Sequence, residues 1–355
     1  MSRFFSNKFS TLEAYVPGEQ PKDMKYVKLN TNESPFPPSP SVIAAAKEEA
    51  GRLNLYSDPE CTPLVAKFAE LYGVERDMVI MTNGSDEVLN FAFMAFCDAE
   101  HPIAFPDITY GFYPVFARLS GIPYTEIALG EDFSINVSDY ISRGENIVIA
   151  NPNAPTGLSL SQSEIERIVA TNPDNVVIID EAYVDFGAES AMSLVSKYDN
   201  LLVTGTFSKS RSLAGARLGF GVASPAIIRD LNTIKYSTNP YNVNRMTMMA
   251  GYSALCDNDY YMNNCKTVME NREYTRKALI SLGFSVIPSA ANFLFAESLE
   301  ISGEELYLAL KQRGILVRHF SKERIKNFNR ITVGTREEME IFIRNTEEIL
   351  KEKRK

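Results

Sequence analysis

A lysine that follows a buried strand, stands among hydroxyls and precedes an arginine can combine amine chemistry with anion binding. The stretch TFSKSRSLAGARLG (206–219) has this pattern, with Lys209 between Ser208 and Ser210 and with Thr206 and Arg217 close by. An arginine can hold a phosphate through two parallel N–H donors. Thr206 and Ser208 add hydroxyl donors, and the small residues Ala214, Gly215 and Ala216 are expected to allow close backbone approach. A lysine at a strand end can equally be a solvated surface group. Upstream, VVIIDEAY (176–183) ends an apolar run with Asp180, and Tyr183 follows three residues on. Such an aspartate can cap the next turn. Held against a pyridine-type ring nitrogen in a poorly solvated site, it would instead keep that ring protonated. A protonated ring accepts the electron pair of a carbanion, and Tyr183 could donate to a phenolic oxygen on the same ring.

Two further segments fall where strands end. In NGSDE (83–87) the backbone amides of Gly84, Ser85 and Asp86 would be unpaired at a helix start and could cradle a phosphate. An ordinary serine N-cap is the other reading. The charges of Asp86 and Glu87 suit a helix N-terminus but repel a phosphate unless they point away. NPNAPTG (151–157) is expected to be a rigid turn at the carboxyl end of a strand, where open α/β sheets bind ligands.

Composition removes several alternatives. Only two histidines are present, His101 and His319, so a histidine-based metal site or a Ser–His–Asp hydrolase is hard to build. His101 looks structural, and His319 is expected to pack rather than catalyse. Cys61, Cys97, Cys256 and Cys265 show no paired metal spacing and are expected to be structural. No metal is expected, and the hard chemistry of an enzyme built this way comes from a cofactor. The net charge of −9 argues against a nucleic-acid partner. No apolar stretch approaches a membrane span, and the first residues lack the apolar core of a secretory signal. The expected compartment is cytoplasmic.

The elements that must position these groups alternate along the chain. VIMTN (79–83), IVIAN (147–151), VVIID (176–180), LLVTGTFS (201–208) and LGFGVAS (218–224) have strand character, and helical spacing begins at Ser85 and at 161–170. Alternation of this kind predicts an α/β unit with a mostly parallel sheet flanked by helices. The pattern becomes helical over 225–285. It then resembles a smaller α+β unit ending in a charged amphipathic helix. The expected division is a large unit over 30–258 and a small one built from 1–29 and 259–355.

Taken in order, YVPGEQP (15–21), LNTNESPFPPSP (29–40), YSDPEC (56–61), NGSDE, ITYGFY (108–113), NPNAPTG, DEAY, TFSKSRSLAGARLG, ANFLF (291–295), ILVRHF (315–320) and RITVGTREEM (330–339) resemble the histidinol-phosphate aminotransferase family. These are class II pyridoxal-phosphate-dependent aminotransferases of fold type I. The resemblance covers nearly the whole chain. It implies pyridoxal 5'-phosphate as cofactor, with Lys209 as the Schiff-base lysine, Asp180 facing the pyridine nitrogen and Tyr183 donating to the phenolic oxygen. It implies a phosphate cup of Gly84, Ser85, Asp86, Thr206, Ser208 and Arg217, with Tyr110 stacked on the ring. Tyr56 resembles a tyrosine that reaches the phosphate of the neighbouring subunit, which implies a homodimer with shared sites. Arg330 resembles the carboxylate-binding arginine, and Arg318, Tyr15 and Asn32 the substrate end of the pocket. One position departs from the pattern: Ala154 stands where an asparagine usually bonds the phenolic oxygen. Either Asn153 reaches across or Tyr183 acts alone.

The family's reaction moves the amino group of histidinol phosphate to 2-oxoglutarate, yielding imidazole acetol phosphate and glutamate. A phosphorylated amino-alcohol has no α-carboxylate, and paired arginines at 318 and 330 suit a dianion better than one. An aromatic amino-acid aminotransferase and a threonine-phosphate decarboxylase would keep the same lysine, aspartate and arginine. Outside enzymes, a pyridoxal-phosphate or nucleotide-binding regulator could use the same anion cradle.

Overall fold

The computed structural model describes residues 2–9, 12 and 17–354. Its first short strand, β1 (Val27–Lys28), precedes helices α1 (Pro40–Ala50) and α2 (Thr62–Tyr72). Then follow β2 (Val79–Thr82), α3 (Ser85–Phe96), β3 (Ile103–Pro106), α4 (Tyr113–Ser120), β4 (Tyr124–Ile127), β5 (Asn146–Ala150), α5 (Gln162–Ala170), β6 (Val177–Asp180), β7 (Leu201–Thr206) and β8 (Gly219–Ala223). These seven strands, β2 to β8, form one sheet in the order β2-β8-β7-β6-β5-β3-β4.

Strands β5, β6 and β7 carry nearly unbroken apolar runs because both of their faces are covered. Alternate residues go to opposite sides of the sheet. Ile147, Ile149, Val177, Ile179, Leu201 and Val203 join one core, and Val148, Ala150, Ile178 and Leu202 join the other. The sheet is parallel except for β8, which runs antiparallel to both β7 and β2. The reason is the connection. Only residues 207–218 link β7 to β8, and that segment holds a single 3-10 turn instead of a crossover helix, so the chain turns straight back. Lys209 lies in this return loop.

Helices α6 (Pro225–Thr238), α7 (Arg245–Cys256) and α8 (Asn258–Ser281) follow. The helical stretch expected over 225–285 is thus three helices, of which α8 is the longest. Strands β9 (Phe284–Ile287) and β10 (Phe293–Ser298), helix α9 (Gly303–Gln312), strands β11 (Ile315–Leu316), β12 (Arg318–His319) and β13 (Phe328–Thr332), and helix α10 (Arg336–Lys353) complete the chain. A second, antiparallel sheet has the order β12-β13-β10-β9, and β1 pairs in parallel with β11. The ILVRHF segment is thus shared between two sheets. Leu294, Ala296, Ile331, Val333, Leu306, Leu310, Met339 and Phe342 pack the core under the second sheet. Cys61, Cys97 and Cys265 are buried as expected, but Cys256, the last residue of α7, is exposed.

Candidate active site

Four strand ends meet at one cavity. It is lined by Ser85 and Asp86 after β2, Ala150 and Ala154 around the end of β5, Asp180, Ala182 and Tyr183 at the end of β6, and Thr206, Ser208, Lys209 and Arg217 after β7, together with Tyr110. Lys209 and Asp180, 29 positions apart in sequence, face the same space.

The lysine is held from the N-terminal side of the chain. Its Nζ donates to the carbonyl of Thr31 at 3.3 Å and lies 5.8 Å from the centre of the Tyr183 ring. Asp180 is buried, at 5 % exposure. One carboxylate oxygen accepts from the Tyr113 hydroxyl at 2.9 Å and the other from the Ala182 amide at 3.3 Å. Burial pushes its pKa up to about 6, with Tyr113 opposing the shift and the nearby charge of Asp86 adding to it. A carboxylate so placed gains most from a cation in the cavity.

Gly84, rather than Ser85, occupies the cap of α3, with φ +78°, and Ser85 is the first helical residue. The serine N-cap reading therefore does not hold. A Cβ at position 84 would lie 2.6 Å from Arg217 Nη2. The close approach expected at Ala214–Ala216 occurs elsewhere: Gly215 faces open space, whereas a Cβ on Gly219 would lie 2.3 Å from the backbone of Gly84 and Ser85. Strand β8 thus presses directly on the anion turn. Gly219→Ala is expected to destabilise the protein by about 1–3 kcal/mol, because the obstructing atoms are backbone and cannot rotate away. Equilibrium urea unfolding measures this, and unchanged stability would contradict the contact.

Glu87 points away from the cavity, accepting from the Asn83 amide at 2.6 Å and from the Asn242 side chain. Asp86 does not. Its carboxylate accepts from the Tyr110 hydroxyl at 2.7 Å and pairs with Arg217 at 3.1 Å. The arginine backbone sits in the left-handed region at φ +55°. Thr206 donates to Ser208 at 2.9 Å, so the two hydroxyls form one cluster beside the lysine.

The chain matches the family described as aminotransferase class I and II over residues 24–345. A histidinol-phosphate aminotransferase of Brachyspira hyodysenteriae is 49% identical over 99% of this chain and 100% of that one. Another, from Marinomonas sp., is 50% identical over 96% of this chain and 97% of its own length. This chain belongs to the histidinol-phosphate aminotransferase family. The fold agrees as well. A crystal structure of histidinol-phosphate aminotransferase from Sinorhizobium meliloti, in complex with pyridoxal-5'-phosphate, superposes with a TM-score of 0.89 over 99% of both chains at 22% identity.

Against that family pattern, Asn153 is not among the cavity-lining residues. Its side chain donates to the Ile108 carbonyl at 2.9 Å and to Thr156 at 3.2 Å, and accepts from Thr109 at 2.7 Å. Ala154 itself faces the cavity, packed with Ala291, Phe293 and Tyr183. Asn32 is buried and donates to the Tyr183 hydroxyl at 3.0 Å. Arg330 donates to the Asn30 carbonyl at 3.1 Å, one residue from the carbonyl that holds Lys209. Arg318 donates to the Pro17 carbonyl at 3.4 Å. His319 alternates to the other side and stacks on Tyr307. Tyr56 is 78 % exposed, stacks on Tyr241, and lines no part of its own chain's cavity. Tyr15 lies outside the described residues. Tyr113 and Thr31 carry no sequence signal of their own for these roles. Tyr113 lies in the ITYGFY motif, but neither residue's type shows which distant group it will bond.

Proposed function

We propose that this chain transfers the amino group of histidinol phosphate to 2-oxoglutarate, with pyridoxal 5'-phosphate held between Lys209 and Asp180. The observation that carries the substrate is the register of the second sheet. Arg318 on β12 stands directly opposite Arg330 on β13. Like charges in directly opposed positions destabilise a strand pair. A dianionic phosphate placed between them matches their charge and would be held by two forked donors. The ring of Phe320 lies 5.8 Å from one guanidinium and 5.9 Å from the other.

The cavity's groups fit the cofactor part by part: an amine for its aldehyde, a buried carboxylate for its ring nitrogen, and a cradle of amides, hydroxyls and Arg217 for its phosphate. When bound, pyridoxal 5'-phosphate supplies an aldehyde that condenses with amines and a ring that takes up an electron pair from the neighbouring carbon. Asp180 keeps the ring nitrogen protonated. Tyr183 donates to the phenolic oxygen without help from position 154, where Ala154 offers no amide. Lys209 Nζ is the mobile base that lifts the proton from the substrate's amine-bearing carbon. Tyr110, whose hydroxyl donates to Asp86, would cover one face of the ring.

In this reading, residues 30–258 carry the cofactor, while the unit built from 1–29 and 259–355 carries the substrate arginines. The enzyme works as a homodimer in which Tyr56 reaches the cofactor phosphate of the neighbouring subunit. Supporting this, Leu53 and Leu55 are 59 % and 57 % exposed beside Tyr56. It acts in the cytoplasm. In support, all four cysteines are free thiols, and among the described residues no helix is long and apolar enough to cross a membrane.

Arg318→Leu tests the substrate. Removing one charged donor from a buried phosphate contact costs about 1.5–3 kcal/mol. That corresponds to a loss of roughly ten- to a hundred-fold in kcat/KM with histidinol phosphate, and much less with phenylalanine or tyrosine as donor. Equal losses on both donor classes would overturn the phosphate assignment.

A further inference from the structure

The Tyr183 hydroxyl can serve the cofactor only if its proton points into the cavity, and a chain of hydrogen bonds from the second sheet bears on that. The backbone amide of Asn32 donates to the Thr332 hydroxyl at 2.9 Å. The Thr332 hydroxyl donates in turn to the Asn32 side-chain oxygen at 2.9 Å. The other end of that amide, Nδ2, donates to the Tyr183 oxygen at 3.0 Å. Asn32 and Thr332 are 1 % and 2 % exposed, so water does not compete.

Each link sets the direction of the next. A hydroxyl has one proton. Thr332 accepts from a backbone N–H, which can never act as an acceptor, and is left with its proton for Asn32 Oδ1. Turning the amide over would face Nδ2 toward Thr332 and leave a buried O–H without an acceptor, at a cost of about 1–3 kcal/mol. With the amide as it stands, Tyr183 receives a proton from Nδ2 and keeps its own for another partner. The Asn32 side chain is further constrained by its backbone, which lies at φ +56°, a conformation that asparagine tolerates well among non-glycine residues. Its carbonyl accepts from Asn292 at 3.0 Å.

We propose that Thr332 and Asn32 are positioning residues that set the polarity of the Tyr183 hydroxyl, so that it donates into the cofactor cavity. The inference rests on the role given to Tyr183 under the proposed function. It assigns Asn32 to the cofactor's phenolic side, not to the substrate end that the family resemblance suggests. Thr332 lies two residues from Arg330 on β13 and so shares its face of the strand. The strand that carries the substrate arginine therefore also orients a cofactor donor. The charged groups sharing the cavity with Tyr183 are Lys209, Asp180, Arg217 and Asp86, and the variants below leave all four in place.

The test is the pH titration of the bound cofactor's absorbance in the holoenzyme. A donor to the phenolic oxygen lowers that oxygen's hold on the proton it shares with the lysine nitrogen. Losing the donor raises the apparent pKa, by roughly one unit for a neutral hydrogen bond. Tyr183→Phe, Thr332→Val and Asn32→Gly are each expected to shift the titration upward. Thr332→Ser, which keeps the hydroxyl, should restore the native value. Asn32→Gly tolerates the positive φ, so it remains informative if Thr332→Val folds poorly. If Tyr183→Phe shifts the titration and the other two variants do not, the relay is wrong while the role of Tyr183 stands. If Tyr183→Phe leaves the titration unmoved, both are wrong.

Discussion

Lys209→Ala is expected to lower transamination of histidinol phosphate by roughly 10⁴-fold or more while leaving the fold intact. Proton transfer by a positioned base contributes up to about 10⁴-fold alone, and in the proposed mechanism the same side chain also holds the cofactor covalently. The structural cost of the change is small. Lys209 Nζ makes one long contact, 3.3 Å to the Thr31 carbonyl, and lies 5.8 Å from the Tyr183 ring centre. Thermal unfolding of the apoprotein should therefore move little. Glutamate formation from 2-oxoglutarate reads the activity. Borohydride treatment followed by peptide mass analysis reads the attachment: the native peptide should gain the reduced cofactor at position 209, and the variant should gain none. A variant within tenfold of native activity would mean that another group is the base. Asp180 and Asp86 are the other proton-accepting side chains in the cavity. Neither can also condense with the cofactor's aldehyde.

The groups whose chemistry is unusual for their surroundings were legible in sequence. A lysine, an aspartate and a glycine-led helix start, each following an apolar run, point to strand ends, and strand ends converge in a parallel sheet. β5, β6 and β7 were equally plain, because strands buried on both faces read as continuous Ile, Val and Leu. What sequence did not reveal is how distant segments complete one another. Tyr113 bonds Asp180 across 67 positions, Arg217 bonds Asp86 across 131, and Asn32 bonds Thr332 across 300. No periodicity encodes such a pairing. Glycine was misjudged for a related reason. Gly215 lies in the small-residue run Ala214–Ala216, yet Gly219 carries the close approach, since only the antiparallel return of β8 brings it against Gly84. The type of Asp86 does not show which way its carboxylate points. It faces the cavity and meets Arg217, so an incoming phosphate competes with a carboxylate for that arginine.

Asp180→Asn should separate the aspartate's cost in the empty protein from its benefit in the loaded one. In the apoprotein, burial raises the Asp180 pKa from 3.8 to about 6. The sign follows from proton counting. As pH rises from about 4 to 6, the unfolded chain releases this proton while the native state retains it, so native stability falls. Below about pH 4 both states are protonated and nothing is lost. Above about pH 6 the penalty is complete, at about 3 kcal/mol for a shift of some two units. Glu181, buried beside it and raised to about 8, adds a similar fall up to higher pH, but it is common to both proteins and cancels in their difference. The apo variant should therefore be more stable than the native apoprotein by up to about 3 kcal/mol at pH 7.5 and equal to it near pH 4, as read by urea unfolding. Tyr113 can accommodate the change, because its hydroxyl can rotate to accept from the new amide. With cofactor present the order reverses. The ring nitrogen loses its buried counter-charge, and breaking such a pair costs about 3–5 kcal/mol, or roughly a hundred- to several-thousand-fold in catalytic efficiency. An apo variant no more stable than native at pH 7.5 would show that Asp180 is already compensated without the cofactor. The carboxylate would then not be waiting for a cation.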